Sequence, residues 1–275
     1  MSDLQLTTRA TRATDVAKPY PSPTLRQSLQ KAGGYLLLIL LFVWAMRGAD
    51  IDLEQTAEGL PRLAEFFGRL FPPNVEAAAT VFQATLETLQ IAMAGTLLSI
   101  VASVVLGVLA ATNLTPEWVH QPLKWALGAL RGIPLILLAL MFVTVVGLGP
   151  YPGVLAIAFH STGMLAKFYA EAFENARRGP IEALDSAGAT WWQRIQFGIL
   201  PQVAPDLARD TLFRFELNFR DSLVLGLVGA GGIGFYIQLY TRGFQYDKVA
   251  TLTIVVLLMV IIVEQLSVAV RRRLR

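Results

Sequence analysis

Residues 225–234 read LGLVGAGGIG, and the last six, Gly229-Ala230-Gly231-Gly232-Ile233-Gly234, fit G-x-G-x-x-G. Two opposite folds hang on this stretch. That spacing marks a dinucleotide-binding turn when a strand leads in, a helix and return strand lead out, and an acid follows about twenty residues on. An apolar run, SLVLGLV, stands where the strand would be. After Gly234 comes FYIQLYTRGFQYDKVA and then another apolar run, with nothing that reads as a return strand, and Asp247 comes too early to be the acid. No G-x-x-x-x-G-K-[ST] occurs, so no P-loop holds ATP on this chain. Composition gives the other answer. The 275 residues are 54% hydrophobic and 16% charged, with a mean hydropathy of +0.52, against the roughly 25% charged usual in globular domains. A chain of this length needs no such excess to build a core, so lipid is its solvent.

A membrane-spanning helix takes roughly 20 mostly apolar residues. Six segments meet this: about 29–46, 84–111, 123–147, 151–173, 211–239 and 249–270. The fold class expected is all-α and polytopic. The first segment reads as a retained helix, not a signal peptide, because about 30 polar residues precede it and WAMRGADID offers no small-x-small cleavage site. The domains expected are a cytoplasmic tail (1–28), the first helix (29–46), a periplasmic connection (47–80), a five-helix permease domain (81–270) with a cytoplasmic loop at about 175–208, and a basic tail (271–275).

Basic residues set direction. Arg9, Arg12, Lys18, Arg26 and Lys31 lie in the N-terminal tail up to the start of the first span, Lys124 lies in the loop after the second with Arg131 at the edge of the third, Arg177, Arg178, Arg194 and Arg209 follow the fourth, and the chain ends RRRLR. These are alternate sides of a six-span chain, so both termini are expected in the cytoplasm. The same distribution explains the net charge of +3 and the pI near 9.3 as topology and not as nucleic-acid binding. Pro19-Tyr20-Pro21-Ser22-Pro23 reads as extended tail. In 50–76, Leu60, Leu63, Phe66, Phe67 and Leu70 suit either an amphipathic helix on the outer surface or a plain loop. With no cysteine and two histidines, His120 and His160, no metal cluster is expected.

The glycines then need another purpose. Gly226, Gly229, Gly231, Gly232 and Gly234 all fall inside one apolar segment. Glycine there lets a second backbone approach closely, or lets the helix bend or unwind beside a pathway. The two readings are compatible.

The long cytoplasmic loop runs EALDSAG (182–188), ATWWQRIQFGI, then LPQVAP (200–205). Ala183, Leu184, Ala187, Trp191 and Ile195 recur as one apolar helical stripe, and Pro201 and Pro205 punctuate the stretch after it. Such a helix suits either docking into a partner's groove or lying on the membrane. Here the chain resembles a known family. E-A-x-x-x-x-G followed by L-P is similar to the "EAA" loop of permease subunits of bacterial ABC importers, and Glu182, Ala183, Gly188, Leu200 and Pro201 match its spacing. The isoleucine usual two residues before Leu200 is Gly198 here, beside Ile199. LRGIPLILLALMFVTVVGLGP, LAIAFHSTGMLAKFYAEAFE and RFELNFRDSLVLGLVGAGGIG resemble the phosphonate-type branch, whose relatives also import phosphite. The resemblance covers roughly 80–270. It implies a type I importer half, two copies side by side as a homodimer, a separate ATP-binding subunit docked on the helix around Glu182, and a periplasmic substrate-binding protein. ATP would be used by that partner, and this chain would need no cofactor. Access would alternate between two states biased from both ends.

Ionisable residues within spans usually face a cavity or one another. Arg214, Asn218 and Asp221 share one helical face, Glu216 and Arg220 form an i, i+4 pair on another, and His160 and Lys167 share a face with Met164 between them. Arg131 precedes Gly132-Ile133-Pro134. Arg220, Asn218, Lys167, His160 and Arg131 are the candidates to face an anionic substrate, since guanidinium suits phosphoryl oxygens. The competing reading is internal ion pairs, favoured for Arg214 and Glu216, with His160 a hydrogen-bonded packing residue. A secondary transporter, which would use Glu171, Glu216, Asp221 and Glu264 as a relay, leaves the loop around Glu182 without purpose. An integral membrane enzyme would need a cluster of His, Asp or Glu at one face. A permease for methionine or another small solute is the rival within the family.

Overall fold

A computed structural model describes residues 25–49, 53–74 and 78–273. The proline run at 19–23 and most of the expected tail lie outside the described residues. Among the described residues every regular element is a helix: α1 (Leu25–Gly48), α2 (Leu53–Leu70), α3 (Ala78–Ala110), α4 (Glu117–Gly132), α5 (Leu135–Val146), α6 (Pro150–Glu174), α7 (Arg178–Ser186), α8 (Trp191–Gln193), a π-helical turn (Arg194–Ile199), α9 (Leu200–Gly226), α10 (Gly232–Arg242) and α11 (Tyr246–Arg273). The chain divides into two compact units, up to Leu63 and from Ala64 on, so the division falls inside the expected 47–80 connection.

In the first unit, α1 is long and apolar enough to cross a membrane. It starts at Leu25, so residues 25–28 of the expected tail are helical. The segment 53–70 is helix and not plain loop; within the second unit, the Phe66 ring meets Tyr246 edge-on at 5.2 Å.

The second unit is built around α3 and α6. The sequence of α3 is apolar on every side, so hydrophobicity does not choose which side is buried. Size does. Gly95, Ser99, Ser103 and Gly107, each four residues from the next, are all buried, and a Cβ at Gly95 would lie 2.5 Å from Ile157 Cγ2, one at Gly107 2.8 Å from Tyr169 Cβ. Lipid tails match leucine in apolarity, so close approach of small residues drives such pairs. A core at one end joins Ala110, Leu127, Leu165, Tyr169, Phe173, Ile195 and Ile199, and one at the other joins Ile91, Leu138, Ile157, Leu225 and Ala230.

Two expected spans are not single helices. The third is α4 and α5 meeting at 86°. Proline at 134 disfavours helical backbone at the residue before it, and Ile133 is extended (φ −79°, ψ 121°). At 1.5 Å per residue, α4 and α5 reach only about 24 and 18 Å, each short of a bilayer core. The fifth is α9 and α10, broken at 227–231. α9 starts at Leu200, inside the cytoplasmic loop expected at about 175–208. Pro201 sits in the first turn of α9 and Pro205 inside it; neither ends a helix.

Candidate functional site

The segment after α6 is a short helix, a reversal and a second helical start. α7 ends in a Schellman arrangement: the Gly188 amide donates to the Asp185 carbonyl (3.0 Å) and the Ala189 amide to the Leu184 carbonyl (3.0 Å). This requires a left-handed residue just past the helix, and Gly188 has φ +75°. Thr190 then caps the next helix. Its amide donates to Gln193 Oε1 (2.8 Å), and its hydroxyl accepts from the Gln193 amide (3.4 Å). The single stripe expected from Ala183 to Ile195 is therefore split at Gly188, because the left-handed turn resets the helical phase.

The two halves face each other. Leu184 and Ile181 lie against the π-helical turn, where a Cβ on Gly198 would sit 2.9 Å from Leu184 Cδ1. Glycine at 198 admits that contact. Asp185 and Arg194 pair at 3.4 Å, and Trp191 Nε1 donates to the Leu114 carbonyl before α4 (3.0 Å). Glu182 and Ala183 remain exposed on α7, as do Leu200 and Pro201 at the start of α9.

At the other end of α9 the glycines separate two helices and let them touch. A Cβ on Gly226 would lie 2.6 Å from Gly231 O, Gly234 Cα and Phe235 N, and one on Gly234 would overlap the Leu223 carbonyl. A Cβ on Gly229 would overlap Leu148, and one on Gly232 would lie 2.6 Å from Thr88 Oγ1. Gly231 has φ +79° and ψ −168°, a region essentially reserved for glycine. The Gly149 amide donates to the Gly229 carbonyl (3.0 Å), and the Ile233 amide to Thr88 Oγ1 (2.8 Å). Glu87 Oε1 would be 2.5 Å from a Cβ on Gly231. Sequence reading passed over Glu87 and Thr88, which carry no local pattern. Only the four-residue spacing of small residues in α3 hinted at which of its faces is buried.

The candidate substrate-facing residues do not converge. Asn218 is fully buried in a polar chain: Arg214 Nε donates to Ser161 Oγ (2.9 Å), Ser161 to Asn218 Oδ1 (2.8 Å), and Asn218 Nδ2 to Thr96 Oγ1 (2.8 Å). Arg214 also pairs with Asp221 at 3.3 Å. On another face Glu216 takes Arg220 (2.8 Å) and Arg271 (3.1 Å), with Glu264 3.4 Å from Arg220. His160 was expected to be hydrogen-bonded; its ring meets the Ile133 backbone, while its Nδ1 is buried without a partner among the described residues. Lys167 and Arg131 line a pocket between α4 and α6.

A family model described as "Binding-protein-dependent transport system inner membrane component" matches residues 103–275. This chain belongs to that family. It is a transport component of the inner membrane, not an enzyme. The permease is 38% identical over 239 residues to the phosphite transport system permease protein PtxC of Stutzerimonas stutzeri, covering 86% of each chain. It is 39% identical over 225 residues to the phosphate-import permease protein PhnE of Mycolicibacterium smegmatis, covering 81% of this chain and 42% of that one. Its fold is similar to a structure of the MetNI methionine ABC transporter in inward-facing conformations (TM-score 0.66, 20% identity, covering 74% of this chain and 99% of that chain).

Proposed function

We propose that this permease carries phosphite, a phosphonate or a related phosphorus oxyanion inward, driven by ATP on a separate subunit. The ligand arrives on a periplasmic binding protein, and two copies of this chain form the membrane pathway as a homodimer. Both termini face the cytoplasm, and residues 81–270 form the permease domain. α7 docks the ATPase through Glu182 and Ala183, with Gly188, Leu200 and Pro201 holding the docking geometry. Gly226, Gly229, Gly231, Gly232 and Gly234 form the moving part of the pathway. Of the candidate cations, Arg131 and Lys167 are free enough to meet an anion, whereas Arg220 is engaged by Glu216 and Glu264.

The observation that carries this reading is the two-sided placement of α7. Its apolar side is spent on the π-helical turn, while Glu182 and Ala183 stay exposed beside the Gly188 reversal. A partner pressing on α7 therefore pushes on the start of α9, whose far end is the glycine break. Proteoliposomes holding the permease, its ATPase and its binding protein should accumulate labelled phosphite or methylphosphonate with ATP hydrolysis. Accumulation without the ATPase would refute the reading.

A further inference from the structure

The pocket between α4 and α6 is made by two matching stripes. Lys124, Leu127, Gly128 and Arg131 lie at i, i+3, i+4 and i+7 on α4, and Lys167, Ala170, Glu171 and Glu174 at the same spacing on α6. It encloses about 250 Å³. One end is closed by backbone contact, since a Cβ on Gly163 would lie 3.1 Å from the Arg131 amide nitrogen and 3.2 Å from the Leu127 carbonyl. The other end is closed by Lys124 and Glu174 at 2.8 Å, where Glu174 also accepts from the Thr112 amide (2.8 Å). Between them a Cβ on Gly128 would meet nothing within 4 Å.

The charges do not cancel. Lys124 is matched by Glu174. Lys167 sits 3.7 Å from Glu171 with both side chains about half exposed, a pair that binds weakly and turns away easily. Among the described residues no acid pairs with Arg131. Three cations face two carboxylates, so the pocket is complementary to one negative charge. Guanidinium presents a planar fork to paired oxygens, and an ammonium on a flexible stem closes on a third. Leu127, Ala110 and Ala170 supply an apolar wall beside them.

We propose that this pocket binds a monoanionic phosphorus oxyacid bearing an organic group, held by Arg131 and Lys167, as a site apart from the glycine break. A free alkylphosphonate and the phosphodiester of an anionic lipid share that chemistry. The site rests on the transport reading only for the choice of soluble probe, and it is read by binding and not by uptake.

The test uses the full-length permease with its ATPase in nanodiscs. In zwitterionic discs, calorimetry follows methylphosphonate and inorganic phosphate. In discs containing phosphatidylglycerol, native mass spectrometry counts retained lipids. Arg131→Gln should weaken binding of methylphosphonate, or reduce retained phosphatidylglycerol, by at least about tenfold, the scale of a lost charged hydrogen bond. Gly128→Phe, which fills open space, should do the same with unchanged thermal stability, and Arg131→Lys should restore part of it. Loss confined to the first arm identifies a soluble anion, and loss confined to the second a lipid headgroup. Binding in both arms that ignores Arg131→Gln and Gly128→Phe, or no binding in either, overturns the proposal.

Discussion

Gly231→Ala tests whether the glycine break is a built feature of the backbone. The methyl group meets two obstacles. The conformation at φ +79° and ψ −168° costs a residue with a Cβ about 1–3 kcal/mol. The methyl would also lie 3.1 and 3.2 Å from Pro150 N and Cα, which are backbone, and 2.5 Å from Glu87 Oε1, the movable end of a side chain. Crowding of this kind costs about 1–3 kcal/mol. The two together come to about 2–6 kcal/mol, or a fall of at least about 4 °C in Tm at about 2–4 °C per kcal/mol. The assay is thermal unfolding of the permease with its ATPase in nanodiscs. Adding Glu87→Ala should recover only the smaller part, because the backbone conformation and Pro150 remain. Gly128→Ala is the control of opposite sign. It lies in α4 with nothing near its Cβ, so alanine should stabilise by about 0.5–1 kcal/mol. A Gly231→Ala protein within 2 °C of the parent (roughly the shift for 1 kcal/mol) would refute the reasoning. Full rescue by Glu87→Ala would refute the backbone part of it.

Gly231→Leu should abolish uptake while the ATPase still co-purifies; unchanged uptake removes the glycine run from the pathway. Glu182→Ala, on an exposed surface, should leave Tm unchanged and abolish ATP-coupled uptake, so retained uptake would remove Glu182 from the docking surface. Gly188→Ala meets no atom within 4 Å and should lose about 1–2 kcal/mol from the left-handed backbone alone, with Gly188→Asn recovering much of the coupled uptake; equal uptake in glycine and alanine proteins would deny the turn its role. Asn218→Ala should cost about 1–3 kcal/mol by leaving the buried Ser161 hydroxyl without its acceptor, and an unchanged melting curve would show that the polar chain re-forms without it.

The all-helical membrane character and the loop around Glu182 were legible in the sequence, because each depends on residues adjacent in the chain; of the six expected spans, three described helices, or four if the bent pair counts as one, are long and apolar enough to cross a membrane. A run of about 20 apolar residues must leave water wherever it lies. The failure of LGLVGAGGIG as a nucleotide turn was legible for the same reason, since its missing strand and acid are neighbours in the sequence. The 86° bend at 132–134 was half legible: Pro134 marks a break, but its angle depends on how α4 seats against α6 at Gly163. What tertiary structure alone decided is which distant groups meet. Thr96 reaches Asn218, Thr88 caps α10, Glu87 stands beside Gly231, and Arg131 is left without an acid among the described residues while Lys124 has Glu174. Helices apolar on all sides carry no hydrophobic period to announce these meetings. In lipid, where burial gains little, small residues and a few polar groups select the partner, and that selection exists only once both surfaces are in place.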